Sequence, residues 1–331
     1  MILFMPYKFL SGSFSCHNPQ LFMSICSYKN HSYIIVGARD SKTGEQYVLA
    51  HFGRFVQGLM PERMPTRTEG IPIDIQAFSF TFTQYEQLFY FLKKCNPNIS
   101  CAVPMVWLEN KSCSEPGQDV EFIWSEGNPA KSNQSTIDMP KLVGGLSLSN
   151  NCRTNAKSIT EKTIKADHLP GVSSFYFRGL PFKAHLSNGH IYEQLFIYPP
   201  PPPQLKGNRD NDQQWHILNK LYLRLDEIAK TSYRKDPAIS HRKFDALKEL
   251  YQIEYDRLIG AEPVSTMNLL SDIDHWVNRD VNKSLIDERR STSFFKFKTS
   301  TRNMFDAILK DYKKIMLSQE EKEGTGLDMQ V

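Results

Sequence analysis

The chain contains 331 residues, of which 40% are hydrophobic and 23% are charged. These values are ordinary for a globular protein and exclude a disordered or fibrous chain. The formal net charge of +4 is small for this length, so we expect no nucleic-acid partner. No apolar run reaches the length of a membrane-spanning helix, and the apolar N-terminus is too short for a signal peptide. We therefore expect neither an integral membrane segment nor a cleaved export signal.

The cysteines argue against both a metal site and a disulfide scaffold. They include no CxxC pair and no close Cys/His spacing of the kind that binds zinc, and six thiols are sparse for a chain of this length. We therefore expect free thiols, a reducing compartment, and no metal or organic cofactor. The cysteines are Cys16, Cys26, Cys95, Cys101, Cys113 and Cys152.

The N-terminal part of the chain carries the patterns of β-strands. Two alternating apolar segments, 30–37 and 45–51, flank the turn residues 41–44 and predict a β-hairpin. Thr83 and Glu86 have the spacing of a capping box, and the apolar stripe that follows them predicts a helix. Further strands are predicted at 78–82, 102–108, 175–177 and 192–197.

Composition divides the chain at two places. Residues 109–141 are rich in Ser, Asn, Gly and Pro and lack periodicity, which predicts a long surface loop. Five consecutive prolines, 199–203, must be extended and lead into a polar segment, so they indicate a domain boundary. We therefore predict an N-terminal domain at 1–203 and a C-terminal domain at 204–331.

The C-terminal domain has the periodicity of amphipathic helices, with apolar residues at spacings of three and four. Four such helices predict an antiparallel bundle whose aromatic and methionine stripes form the core. The chain is therefore expected to be α+β, with an antiparallel sheet and packed helices followed by an all-α domain. The helices are predicted at 215–228, 244–258, 267–281 and 304–315.

Cys152 lies where a helix is expected to start, after the small polar residues 147–151. The unpaired N–H groups and the positive dipole end of a helix N-terminus stabilise a thiolate and lower the pKa of a cysteine placed there. The same N–H groups can bind the oxyanion that forms when a thiolate attacks an acyl carbon. On position alone, an inert core cysteine is the favoured interpretation.

Two histidines of the hairpin favour the reactive interpretation. Folding about the turn at 41–44 is expected to bring His51 back toward His31, so that both rings lie at one end of the hairpin. One ring can then take the thiol proton while the other fixes its tautomer. We predict Cys152 as the nucleophile, with one of the two histidines, His31 and His51, as its base and the other as the orienting residue.

These motifs resemble a known family. The histidine-bearing hairpin, the long interval and the Asn-Cys pair at a helix start, here Asn151 and Cys152, are similar to the circularly permuted branch of the NlpC-type papain-like cysteine hydrolases, which includes proteins like lecithin:retinol acyltransferase. The resemblance implies a permuted papain-like fold and a covalent acyl-enzyme. It also implies the roles of base for His31 and of orienting group for His51, and we expect Asn151 to support the oxyanion.

Other features resemble effectors that Legionella-type bacteria inject into host cells. Residues 150–154, with the sequence Asn-Asn-Cys-Arg-Thr, and the acidic tail with Glu320, Glu321 and Glu323 are similar to segments of such proteins. The resemblance implies delivery into the host cytoplasm by type IV secretion machinery that reads this tail, without a signal peptide. The substrate would then be a host protein or an acylated molecule, selected by the helical domain.

An enzyme with the ordinary papain order stays open as an alternative. In that order Cys152 would precede its base along the chain, which would be His185 or His190. Asn188 or Glu193 would then orient the imidazole.

Three further alternatives have weaker sequence support. Cys16 beside His17 is a second thiol candidate, although adjacency in sequence does not bring two side chains together. A serine hydrolase is another alternative, but residues 144–149 lack the G-x-S-x-G elbow of that class. The chain could also be a catalytically silent papain-like protein that binds a host protein through its helical domain.

Overall fold

The computed structural model describes residues 12–62, 64–65, 70–108, 118–125, 151–175, 177–203, 209–260, 265–290, 298–310 and 312. The chain divides into two compact units, Met1–Pro200 and Pro201–Val331, so the division falls inside the run of prolines. The first unit contains a largely antiparallel sheet with helices, and the described elements of the second unit are helical. The expected mixture of α and β structure is confirmed.

One sheet joins the strands that the structure describes in the first unit. They are β1 (Ser13–His17), β2 (Gln20–Tyr28), β3 (His31–Arg39), β4 (Gln46–Phe55), β5 (Gly58–Pro61), β6 (Ile71–Ser79), β7 (Cys101–Pro104), β8 (Asp119–Ser125), β9 (Phe182–Ser187), β10 (His190–Ile191) and β11 (Ile197–Tyr198). The sheet closes on itself like a barrel, because β3 pairs with both β2 and β4, and β4 leads through β10, β9 and β6 back to β2. These pairings are all antiparallel.

The interior of this barrel-like sheet is an apolar core. Apolar and often β-branched side chains alternate along its strands, which places one set of them on the enclosed face. The buried residues of this cluster are Phe22, Cys26, Tyr33, Ile35, Val48, Ile73, Ile75, Ala77, Ala184, Leu186, Ile191, Leu195 and Ile197. The core fixes the register of β3, the strand that carries His31.

Local turn chemistry explains the two hairpins around β3. β2 and β3 are joined by Lys29 and Asn30, and Lys29 adopts the left-handed conformation that a two-residue hairpin turn requires. Between β3 and β4, the Asp40 carboxylate accepts hydrogen bonds from the backbone N–H groups of Lys42 and Thr43, which closes the turn. The hairpin predicted between 30–37 and 45–51 is confirmed.

Several sequence predictions in the first unit are wrong in detail. Residues 105–108 of the strand predicted at 102–108 form a helix, and residues 192–196 of the strand predicted at 192–197 are irregular. Strand β8 lies inside the segment 109–141 that was predicted as loop, because Phe122 is buried and the strand pairs with both β1 and β7. Residues 109–117 and 126–141 lie outside the described residues. The capping box belongs to Thr81 and Gln84 rather than to Thr83 and Glu86, since the helix begins at Phe82.

The helices of the first unit are α1 (Phe82–Cys95), the short α2 (Met105–Leu108) and α3 (Cys152–Ile164), and α3 packs against β2, β3 and β4. In the second unit α4 (Arg209–Lys230) packs against α5 (Pro237–Ile259). The helix predicted at 267–281 is divided at Arg279 into α6 (Thr266–Asn278) and α7 (Asp280–Asp287), and residues 300–310 form a further helix. Among the described residues, no helix combines the length and apolarity that crossing a bilayer requires.

Candidate active site

Asn151 fixes the chain at the start of α3. Its side-chain oxygen accepts hydrogen bonds from the N–H groups of Arg153 at 2.9 Å and Thr154 at 3.0 Å. The Asn151 N–H donates in return to the Thr154 hydroxyl at 2.9 Å, which completes a reciprocal capping box. Cys152 therefore occupies the first position of a well-capped helix. The structure gives Asn151 this capping role, which the sequence prediction of an oxyanion-supporting residue did not include.

The capping geometry leads to a prediction for Asn151→Ala. We expect this change to destabilise the protein by about 1 kcal/mol, because two N–H groups of the first turn lose their acceptor. We also expect about fivefold slower alkylation of Cys152 at pH 7, since the thiolate would lose a fixed position at the helix start. Ser265→Ala, which removes the equivalent cap of α6, is the matched control. Thermal unfolding and the alkylation rate measure both effects, and equal rates in the two variants would contradict the prediction.

The thiol of Cys152 lies between α3 and the first residues of β3. The backbone N–H of Ser32 donates to Cys152 Sγ at 3.3 Å. The His31 side chain neighbours the same thiol, and each group shifts the pKa of the other. Cys152 is a partly exposed residue. The residues predicted as nucleophile and base are 121 positions apart in the chain, and the fold brings them into contact.

Glu62 holds the other side of the imidazole. His31 Nε2 lies 2.5 Å from Glu62 Oε1, which leaves Nδ1 as the ring nitrogen for Cys152. The β4–β5 hairpin sets the position of Glu62, because Pro61 pairs with Phe52 and the Glu62 N–H donates to the His51 carbonyl at 3.0 Å. Glu62 was missed by sequence reasoning. The signal for it was the short return strand after Gly58, which reverses the chain toward β3.

The two titratable groups shift each other's pKa toward an ion pair. Burial on its own raises the pKa of the Cys152 thiol, but the hydrogen bond with His31 and the Ser32 N–H outweigh it, so this pKa lies below its ordinary value. Burial on its own lowers the pKa of His31, but hydrogen bonds with Cys152 and Glu62 raise it to about 9. The arrangement therefore favours a thiolate beside an imidazolium more than either group would be favoured alone, and the two titrate as a coupled pair.

Gly53 provides the space in which His31 and Glu62 meet. It lies opposite Tyr33 in the β3–β4 ladder. A Cβ atom at this position would overlap Glu62 Oε1 and would lie 3.1 Å from His31 Nε2. The absence of a side chain at residue 53 is therefore what allows the carboxylate to reach the ring.

This geometry predicts the effect of Gly53→Ala. We expect the fold to be retained, because the overlapping atom is the end of a flexible side chain, and we expect Glu62 to be displaced from His31. The rate of acyl transfer at neutral pH should then fall roughly tenfold, about as far as it does in Glu62→Gln. A double-mutant cycle measures this directly, since Gly53→Ala should add almost nothing in a chain that already carries Glu62→Gln. Fully additive losses would show that Gly53 acts elsewhere.

His51 is not placed as the orienting residue that the sequence predicted. It pairs with Ile35, four residues along β3 from His31, and neither of its ring nitrogens has a hydrogen-bond partner among the described residues. Its ring packs edge-on against Tyr33 at 4.8 Å. Burial and the neighbouring His31 charge lower the pKa of His51 to about 3, which keeps it neutral. The turn at 40–45 sets this register, and sequence spacing alone did not reveal it.

The alternative bases and nucleophiles have other partners. His185 Nδ1 is hydrogen-bonded to Glu193 on the surface, and the ring of His190 packs against Tyr47 with centroids 5.0 Å apart. Cys16 is buried, and burial with the nearby Asp40 charge raises the pKa of its thiol to about 12. Residues 144–149, Cys113 and the glutamates at 320, 321 and 323 lie outside the described residues.

Comparison with protein-family models, curated proteins and solved structures finds no match for this chain. In the part of the chain that the structure describes, no group of three or more His, Cys, Asp or Glu residues is arranged to hold a metal ion. The residues that define the chemistry of the site are Cys152, His31 and Glu62.

Proposed function

We propose that the first unit is a cysteine hydrolase or acyltransferase that works through a covalent acyl-enzyme. One observation carries the proposal: the His31 ring is hydrogen-bonded to the carboxylate of Glu62 and also neighbours the thiol of Cys152, so that the imidazole and the thiol shift each other's pKa. A nucleophile, a base and a group that orients the base are the components that thiol catalysis needs. A thiol in an inert core would have a raised pKa, whereas the pKa of Cys152 is lowered.

The proposed reaction has two halves. The Cys152 thiolate attacks an acyl carbon, the carbonyl oxygen becomes an oxyanion, and the leaving group departs with the proton that imidazolium His31 supplies. Water or an acceptor amine then gives a proton to neutral His31 and attacks the acyl-enzyme, which releases the thiolate. The Cys152 N–H, the first of α3, is suited to bind the oxyanion in both halves, whereas the next two N–H groups of the helix donate to Asn151. Glu62 keeps the ring in place and supports its charge.

The proposal retains the permuted papain-like arrangement as its structural class. The base on β3 comes first in the chain, Glu62 follows β5, and the nucleophile at the start of α3 comes last. This is the order that the resemblance implied for base and nucleophile, with Glu62 taking the orienting position in place of His51. Peptides, isopeptides and acyl esters are all candidate substrates. Delivery into a host cell stays a prediction, because the acidic tail lies outside the described residues.

Competition between two thiols of the same protein tests the proposal. Less than one equivalent of iodoacetamide at pH 7 should label Cys152 before Cys95, although Cys95 is the more exposed thiol. Burial raises the pKa of Cys95, so its thiolate is scarce at this pH. Peptide mapping by mass spectrometry gives the order of labelling.

A panel of acyl donors then tests for turnover. Peptide, isopeptide and ester donors are incubated with the protein, and intact mass shows whether an acyl group accumulates on Cys152. Preferential labelling together with acylation by one donor class would support an enzyme and name its substrate class. Labelling of Cys95 ahead of Cys152 would refute the activated thiol and favour the catalytically silent binding protein.

A further inference from the structure

Arg153 is an unusual residue for the first turn of α3, because its side chain is completely buried. Arginine is almost never fully buried unless it is paired. Its Nε donates to the Ser32 hydroxyl at 2.8 Å, and Ser32 is also fully buried. The guanidinium therefore lies between the helix that carries the nucleophile and the strand that carries the base.

Ser32 is bound twice to the first turn of α3. Its N–H donates to Cys152 Sγ, while its hydroxyl accepts from Arg153. Ser32 also directly follows His31 in β3. The Arg153–Ser32 hydrogen bond therefore sets the separation between β3 and α3 at the point where imidazole and thiol meet.

The charge of Arg153 has few hydrogen-bond acceptors around it. Nη1 and Nη2 have no hydrogen-bond partner within the part of the chain that the structure describes. Burial lowers the pKa of the guanidinium, and charge on Cys152 and Asp74 opposes this shift. A buried cation is stabilised by a nearby anion, and the Cys152 thiolate is one such anion. A thiolate beside Arg153 would likewise be stabilised relative to the neutral thiol.

Other charged and titratable groups also face this region. They are His31 from β3, Glu62 behind it, Asp74 from β6 and Cys26 from β2. Burial raises the pKa of Cys26 well above its ordinary value, so that thiol is neutral. Asp74 acts on Arg153, where its charge opposes the lowering of the guanidinium pKa by burial. The positive charges of His31 and Arg153 favour a negative charge on Cys152.

We propose that Arg153 is a positioning residue of the thiol site, which holds the Ser32 N–H against Cys152 Sγ and supplies a buried positive charge that favours the thiolate. This inference rests on the proposed function, because it concerns the activation of the same nucleophile. It adds a second source of thiolate stabilisation, independent of the imidazole.

A thiol titration without any substrate tests this inference. Iodoacetamide alkylation of Cys152 is followed from pH 4 to pH 10 in the full chain, with Cys95 as the internal reference. We expect Arg153→Met to move the alkylation midpoint upward by about one pH unit. We expect Arg153→Lys, which keeps the charge, to remain closer to the wild-type midpoint. Ser32→Ala, which removes the hydroxyl and keeps the N–H, should slow alkylation at pH 7 about threefold.

A control on the same helix separates activation from simple loss of stability. Thr160 is fully buried in α3 and donates to the Ala156 carbonyl at 2.9 Å, so Thr160→Val perturbs α3 away from the site and should keep the wild-type midpoint. A folded Arg153→Met with the wild-type midpoint would overturn the inference. If Arg153→Met does not fold, wild-type alkylation of Cys152 in Ser32→Ala would overturn it instead. An ordinary midpoint in the wild-type protein would count against the proposed function itself.

Discussion

Replacing His31 by alanine is expected to slow alkylation of Cys152 at pH 7 by about 100-fold. The hydrogen bond with His31 is the largest influence that lowers the pKa of this thiol, and burial opposes it. Without the imidazole, burial would dominate and the pKa would rise above its ordinary value, which leaves little thiolate at neutral pH. The rate relative to Cys95 measures the effect within one sample.

His185→Ala is the matched control for the His31 experiment. His185 is exposed and bonded to Glu193, so its loss should leave the alkylation rate of Cys152 unchanged. The pair of variants also decides between the two chain orders considered from sequence. If the alkylation rate of Cys152 falls in His185→Ala and is unchanged in His31→Ala, the ordinary papain order is supported and the proposed arrangement is rejected.

The second large effect is expected from Glu62→Gln. The Glu62 hydrogen bond and charge help to raise the pKa of His31 to about 9, and the amide would keep the hydrogen bond but lose the charge. Acyl transfer needs the protonated imidazole, so activity should fall as pH rises through this pKa. In Glu62→Gln we expect this alkaline limb to move below pH 9 and the rate at neutral pH to fall about tenfold. The pH–rate profile of acyl transfer measures both changes.

His51→Phe provides the contrast to Glu62→Gln. His51 has no hydrogen bond to His31 and is already neutral, so the variant should keep the wild-type alkaline limb near pH 9. Its melting temperature should be unchanged or higher, because two buried ring nitrogens without hydrogen-bond partners among the described residues are removed. If His51→Phe loses activity while Glu62→Gln keeps it, His51 is the orienting residue after all.

The sequence predicted those parts of the fold that depend on local patterns. The apolar alternation of residues 30–37 and the spacing of apolar residues at 215–228 each predicted the correct kind of element. Strand β8 was missed, because its buried residue Phe122 lies in a polar stretch and the strand is stabilised by pairing with β1 and β7. Such long-range pairing is not visible in local composition.

The site was predictable to the extent that single residues carry the chemistry. Cys152 was singled out because a helix was expected to start there, and His31 because it shares a predicted hairpin with a second histidine in the order that the resemblance implies. Glu62 was not found, since its contact with His31 depends on the register of two ladders and on the missing side chain at Gly53. His51 was selected as the orienting residue because the length of the turn could be read approximately from the sequence. The register of the two hairpin strands could not be read in this way.

The pairing of β3 on both sides has a consequence for how the site can adapt. From Tyr33 onward β3 is held by the backbone ladders of β2 and β4, so the strand that carries the base is fixed along both of its edges. The nucleophile is on a helix that meets this strand through Ser32 and Arg153. Any adjustment to substrates of different shape is therefore expected to come from movement of α3, with the imidazole acting as the fixed reference point.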